Sequence, residues 1–166
     1  MSVLWDLFEI TINFFQGFIM IFFTHSYLGD KNDKRFLKSS GVLYGIALAS
    51  TISILDYYTV FESFYALLYI VIIFIYSAFS LKGTWLKRTF ASVLPVLIVL
   101  VPSALISNFT AFLFKTNLYD IFSKNTVDRF ITVIAVQLAI VYIMVILLRI
   151  LKKNDSRKNS LAVIAL

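Results

Sequence analysis

Five long apolar runs alternate with short polar connections along the chain: Val3–Thr24, Gly41–Asp56, Ser63–Leu81, Phe90–Phe114 and Phe130–Leu148. A bilayer core about 30 Å thick calls for about 20 mostly apolar residues per helical crossing, and each run meets or approaches that length. The pattern predicts an all-α, polytopic membrane helix bundle of five transmembrane helices, one domain over residues 1–159. A last apolar run, residues 160–166, is too short to span and reads as the start of a sixth helix cut off at Leu166, with a tail lying on the membrane surface as the alternative.

The interruptions inside the runs carry the information. In the first, Asp6, Glu9, Asn13, Gln16 and Met20 stand three, four, three and four residues apart. At 100° per residue they fall within about an 80° arc, so they line one helix face. Ionisable groups at membrane depth usually face the bundle interior or a wet cavity, so this stripe is expected to point inward. Two readings of it stand open: Asn13 and Gln16 bond neighbouring helices while Asp6 and Glu9 sit in headgroup water, or the stripe lines a site for an extracellular ligand or a cation. In the second run Gly41, Gly45, Ala49 and Ser53 recur every four residues, the spacing that lets a second helix approach closely. The partner is expected within the chain, with a homodimer seam the other choice.

The fourth run holds Pro95 and Pro102, each of which removes a helical hydrogen bond and favours a kink. Ser103, Ser107 and Asn108 follow and are placed to satisfy freed carbonyls. Gln137 is the strongly polar residue in the middle of the fifth run, able to reach the first-helix stripe or to bond within the bundle. His25, at the end of the first run, is expected to be an interface residue. Between residues 114 and 129, Leu118, Ile121 and Phe122 fall at helical spacing, which suggests a short helix in the interface or an irregular loop. Trp85, Tyr57, Tyr58 and Tyr119 sit at membrane boundaries, where amphipathic rings settle.

Composition agrees with lipid as the solvent. Of the 166 residues 60% are hydrophobic and 14% charged, with a mean hydropathy of +0.89, against about 45–50% and 25% in soluble domains. Charge then sets the topology. Lys31, Lys34, Arg35 and Lys38 follow the first run, Lys82, Lys87 and Arg88 the third, and Arg149, Lys152, Lys153, Arg157 and Lys158 the fifth, while the other side receives only Lys115, Lys124 and Arg129. Cytoplasmic loops collect Lys and Arg, so the N-terminus is expected outside a multi-pass protein of the plasma membrane. The net charge of +6 is a topology signal, and nucleic acid is not an expected partner because the cations cluster at helix ends rather than on a folded base-reading face. Asp56 and Glu62 make the outer mouth acidic, a feature a basic ligand would feel. There is no cysteine and one histidine, which excludes thiolate and multi-histidine metal sites. With no phosphate loop and no nucleophile beside a base, neither a catalytic activity nor a cofactor is expected of these residues.

The opening Phe8-Glu9-Ile10-Thr11-Ile12-Asn13-Phe14-Phe15-Gln16-Gly17-Phe18-Ile19, followed by Tyr27-Leu28-Gly29 and a Lys/Asp-rich loop, resembles the N-terminal membrane regions of Agr-type peptide-sensing histidine kinases of Gram-positive bacteria. The likeness covers about 30 residues well and the rest by helix count and topology. It implies a membrane sensor for an exported signal, a short peptide, coupled to a cytoplasmic GHKL-type ATPase domain in the full protein; no catalytic residue of that family falls within these 166. The expectation is thus the sensor portion of a quorum-sensing receptor of a two-component system, with ligand contacts at Glu9, Asn13, Gln16 and Gln137. The alternative, from another class, is a small membrane transporter subunit binding a solute in the outer half of the bundle. A third reading is a purely structural membrane protein, its polar stripe serving only to pack helices.

Overall fold

A computed structural model describes residues 2–32, 35–36, 40–57, 62–118 and 126–164, with backbone alone at residues 2, 56–57, 62–64 and 154–164. Tyr58, Tyr119, Ile121 and Phe122, and so most of the expected interfacial helix, lie outside the described residues. The fold is all-helical: α1 (Ser2–Leu28), α2 (Gly41–Tyr57), α3 (Glu62–Ser80), α4 (Trp85–Phe114) and α5 (Val127–Ile164). Three helices are long and apolar enough to cross a membrane, namely Val3–Leu28 in α1, the whole of α4, and Val127–Lys153 in α5. The apolar parts of α2 and α3, Gly41–Leu55 and Tyr65–Ser80, are shorter. Against the expected boundaries the main difference is at the end. The fifth run does not stop at Leu148, and residues 160–164 do not begin a separate element: α5 is one helix of 38 residues. The basic stretch from Arg149 to Lys158 contains no Pro or Gly, so nothing in it breaks the backbone ladder.

Helix α1 is the shared neighbour. It contacts α2, α3, α4 and α5, whereas among the described residues those four touch one another only in chain order, α2 to α3, α3 to α4 and α4 to α5. The four form an arc around α1. The face of α1 that serves them is Asn13, Gly17, Met20, Ile21, Phe23, Thr24 and His25, all buried. Its most extensive contact is with α2, and small residues make that possible. A Cβ at Gly17 would lie 2.7 Å from the backbone N of Ala49 and 2.8 Å from its Cα, a clash that only backbone movement relieves. A Cβ at Gly45 would lie 3.0 Å from the Phe18 ring. Gly45 and Ala49 of α2 therefore pack within the chain against α1, while a Cβ at Gly41 would meet the Phe36 ring and the Tyr76 hydroxyl of α3.

The lower part of α1 joins a dry core of Met20, Ile21, Phe23, Leu48, Ile73, Tyr76, Val96, Ile140 and Met144. His25 belongs to it, with its Nδ1 2.9 Å from the Tyr76 hydroxyl and its ring edge-on to Phe36 at 5.5 Å. Both prolines of α4 are buried within a continuous helix. Pro95 has no N–H for the carbonyl of Ala91, four residues back. That carbonyl lies 3.1 Å from the Thr24 hydroxyl of α1, whose single proton it shares with the Met20 carbonyl at 3.0 Å, and Thr24 is wholly buried. The break that proline makes in α4 thus becomes a cross-link to α1.

The end of the bundle where α1 and α3 finish is tied by backbone. Asp30 and Leu81 form an isolated antiparallel bridge, with Lys31 N donating to Ser80 O at 3.0 Å and Lys82 N to Gly29 O at 2.9 Å. Gly29 permits this with φ of +75°, a turn conformation that L side chains rarely adopt. The Lys31 ammonium donates to the carbonyls of Ala78 and Phe79 at 2.8 and 2.9 Å, satisfying orphan groups at the C-terminus of α3 where positive charge is favoured.

Thr24→Val should lower the unfolding free energy in micelles by about 1 kcal/mol, the usual range for an interhelical hydrogen bond in a membrane protein. In a Pro95→Ala background, which restores the missing N–H, the same substitution should cost measurably less. Equal costs in the two backgrounds, read by denaturant titration, would show that the bond does not answer to the proline.

Candidate functional site

The stripe on α1 sinks into the protein as it descends. Asp6 is exposed, Glu9 half-buried, Asn13 buried, Gln16 half-buried and Met20 buried. Of the four residues expected to meet a ligand, Glu9, Asn13 and Gln16 share the stripe, Gln16 standing about 10 Å along α1 from Glu9 and Gln137 about 12 Å along α5 from Arg129 at 1.5 Å per residue. Gln137 is buried between Val136 and Ile140 on the inward face of α5, and its Oε1 accepts no hydrogen bond from the described residues. Other buried polar groups in the same half of the bundle, Ser107 and Thr110 of α4 and Thr132 of α5, have a local partner in one case at least: the Thr132 hydroxyl bonds back to Asp128 O at 2.7 Å.

The group that does converge lies at the opposite end from the Asp30–Leu81 bridge. Trp5, Phe8 and Glu9 stand at i, i+3 and i+4 and so share one face of α1. Facing them is the first turn of α5, where Thr126 accepts from Arg129 N through its hydroxyl at 3.4 Å and from Phe130 N through its carbonyl at 3.2 Å. This capping fixes where Arg129 and Phe130 emerge. The Arg129 guanidinium pairs with the Glu9 carboxylate, their side chains 20% and 41% exposed. It also lies 5.9 Å from the centre of the Trp5 ring, within cation–π range. Trp5, Phe8 and Phe130 form a triangle, with centroids 5.7 Å apart for Trp5–Phe8, 6.5 Å for Trp5–Phe130 and 5.0 Å for Phe8–Phe130. Beside it opens a shallow cleft of about 310 Å³ lined by Leu4, Trp5, Phe8 and Phe130.

The electrostatics of this corner are unusual in one respect. A helix N-terminus favours negative charge and disfavours a cation. Asp128 in the first turn of α5 suits that field; Arg129 opposes it, and Glu9 supplies the compensating charge from α1. Sequence reasoning singled out Glu9 but missed Arg129, Trp5, Phe8 and Phe130. The signal was there in part: one arginine beside an acid at the start of a span, and an aromatic residue one turn before Glu9 on the same face. What the sequence alone does not contain is that α1 and α5 meet at this height. Among the described residues no three His, Cys, Asp or Glu side chains are grouped to hold a metal ion.

Compared with known proteins, the chain matches no family model, no curated protein and no solved structure.

Because the chain has no cysteine, this corner is open to direct test. A Phe8→Cys, Phe130→Cys pair should be joined in the membrane by a short bismaleimide, while Phe8→Cys with Leu138→Cys, which is exposed two turns deeper on α5, should not. The reverse pattern would mean that the two helices meet in another register. For Gln137, replacement by Leu should leave stability unchanged or raise it by up to roughly 1 kcal/mol, since it removes a buried acceptor that lacks a donor; a clear loss in a thermal melt would reveal a partner for the amide.

Proposed function

We propose that this chain is the membrane sensor portion of a signalling receptor, an Agr-type, peptide-sensing histidine kinase of a two-component system, acting in quorum sensing. In this reading all five helices cross the plasma membrane. The 17 residues of α2 and 19 of α3 reach about 25 and 28 Å, close to the hydrocarbon thickness. The N-terminus and the Glu9–Arg129 corner face outward, and the cationic end faces the cytoplasm. The ligand is an extracellular peptide, received near Glu9 and Asn13, and catalysis belongs to a cytoplasmic region of the full protein.

The observation that carries the proposal is the continuity of α5. Its 38 residues extend about 57 Å, nearly twice the hydrocarbon thickness. One end carries Arg129, paired to α1; the other emerges beyond the basic end of the bundle. A change in the pairing at Arg129 is therefore delivered along a single rigid element to the far side of the membrane, which is what a receptor needs.

The test uses the receptor in its own cells. Glu9→Gln and Asn13→Leu should both insert at normal levels; Asn13→Leu should shift the transcriptional response to spent culture medium at least tenfold toward higher doses, and Glu9→Gln, which also frees Arg129, should make the response independent of dose. In parallel, a cysteine at residue 2 should react with a membrane-impermeant maleimide on intact cells, and one at Lys31 should not. Normal responses from both variants would remove the ligand site; reversed labelling would remove the receptor reading altogether.

A further inference from the structure

We infer that the Glu9–Trp5 corner is a cation-recognition site that the protein keeps filled with its own Arg129, and that the external ligand it takes is a peptide bearing an arginine or lysine side chain next to an apolar residue. This rests on the reading that the corner receives a ligand, and it names that ligand's chemistry.

Three observations carry it. First, the site already grips a guanidinium: Glu9 supplies the counter-charge and Trp5 the ring face, at 5.9 Å. A carboxylate and an aromatic face together are what a cation-binding site consists of. Second, the charge balance at this end favours a cation over an anion. The described charges on the first turns of α1 and α5 are Asp6, Glu9 and Asp128 against Arg129, with the next described cation, Lys115, at the C-terminal end of α4, a balance that disfavours an anionic ligand. Third, the adjoining cleft of Leu4, Trp5, Phe8 and Phe130 is apolar, so a side chain next to the cation has somewhere to go.

Arg129 is a weak incumbent by its position. It sits in the first turn of α5, where the helix field disfavours a cation, and the Glu9 side chain of the pair is 41% exposed and open to a competing cation. A ligand cation that takes Glu9 and the Trp5 face displaces Arg129 from them and weakens the hold of α1 on the end of α5, leaving the Phe8–Phe130 contact. The pair is in this sense an autoinhibitory contact, and the ligand competes with a tethered copy of its own recognition group.

The experiment is a binding titration on the protein in phosphatidylcholine nanodiscs. The chain has two tryptophans; Trp85 lies at the opposite end, so Trp85→Phe leaves Trp5 as the sole reporter. The probe is the dipeptide amide Phe-Arg-NH2, with acetyl-Phe-Glu as the anionic control. Saturable change in Trp5 emission should occur with the first and not with the second. Arg129→Gln should bind the cationic probe at least tenfold more tightly than the parent, and Arg129→Lys, whose compact ammonium is a poorer match for the carboxylate, should fall between them. The double variant Glu9→Gln, Arg129→Gln should lose the response. If Arg129→Gln fails to fold by circular dichroism, the comparison of Arg129→Lys with the parent decides. Equal affinity of parent and Arg129 variants, or undiminished binding in the double variant, overturns the inference. So does a vacated site that fills from phosphatidylethanolamine nanodiscs without peptide, since the occupant is then a lipid amine. Binding here is read without any signalling output: a probe that binds as expected in a receptor that gives no response sinks the sensor reading and leaves this one standing.

Discussion

In a solvent that offers no hydrogen bonds, a polar group on a helix has to find its partner in the protein, and this constraint organises the bundle around α1. Thr24 is the clearest case. Pro95 leaves the Ala91 carbonyl of α4 without its helical donor, and the Thr24 hydroxyl of α1 supplies one from across the interface. The bond requires the two helices to be close, and their closeness in turn sets where Val96 and Ile98 meet Met20 and Ile21 in the core. On its other side α1 approaches α2 so tightly that Gly17 has no room for a Cβ beside Ala49. Polar satisfaction on one flank and steric closeness on the other leave α1 little freedom to turn.

The two ends of the bundle are held by different forces. One is closed by backbone hydrogen bonds between connections, by the Lys31 cap on α3 and by the Arg88 guanidinium donating to Leu81 O at 3.2 Å. Such bonds have fixed geometry and no competing ligand of their own kind. The other is closed, among the described residues, by an ion pair and three aromatic rings. Charge and ring contacts are open to other sources: a cation from elsewhere can meet Glu9 and another apolar group can meet Phe8. An end closed in this way is sensitive to what the surroundings contain, and that difference underlies both functional proposals.

Much of the fold was legible in the sequence because lipid exposure writes itself into hydropathy. The five apolar runs each contain a helix, and the four-residue repeat of Gly41, Gly45 and Ala49 lies at a close helix contact. Three features were not legible, for separate physical reasons. The continuation of α5 to Ile164 was hidden because hydropathy reports solvent, not backbone, and a helix leaving the membrane changes the first without changing the second. Gly17 was passed over because a lone glycine acquires meaning only from the helix opposite it. The link from Arg129 to Trp5 and Glu9 joins residues more than a hundred positions apart, and with charge used to read topology Arg129 counted only as a loop cation. The stripe from Asp6 to Met20 lies on one continuous helix, with Asp6 exposed and Asn13 and Met20 buried.

The arc of helices has a mechanical corollary. Since α2 and α3 make no contact with α5 among the described residues, α5 borders two neighbours while α1 borders four. Turning α1 would shear four interfaces together, whereas α2 and α5 each border two, and of these α5 is the longer, at 38 residues against 17.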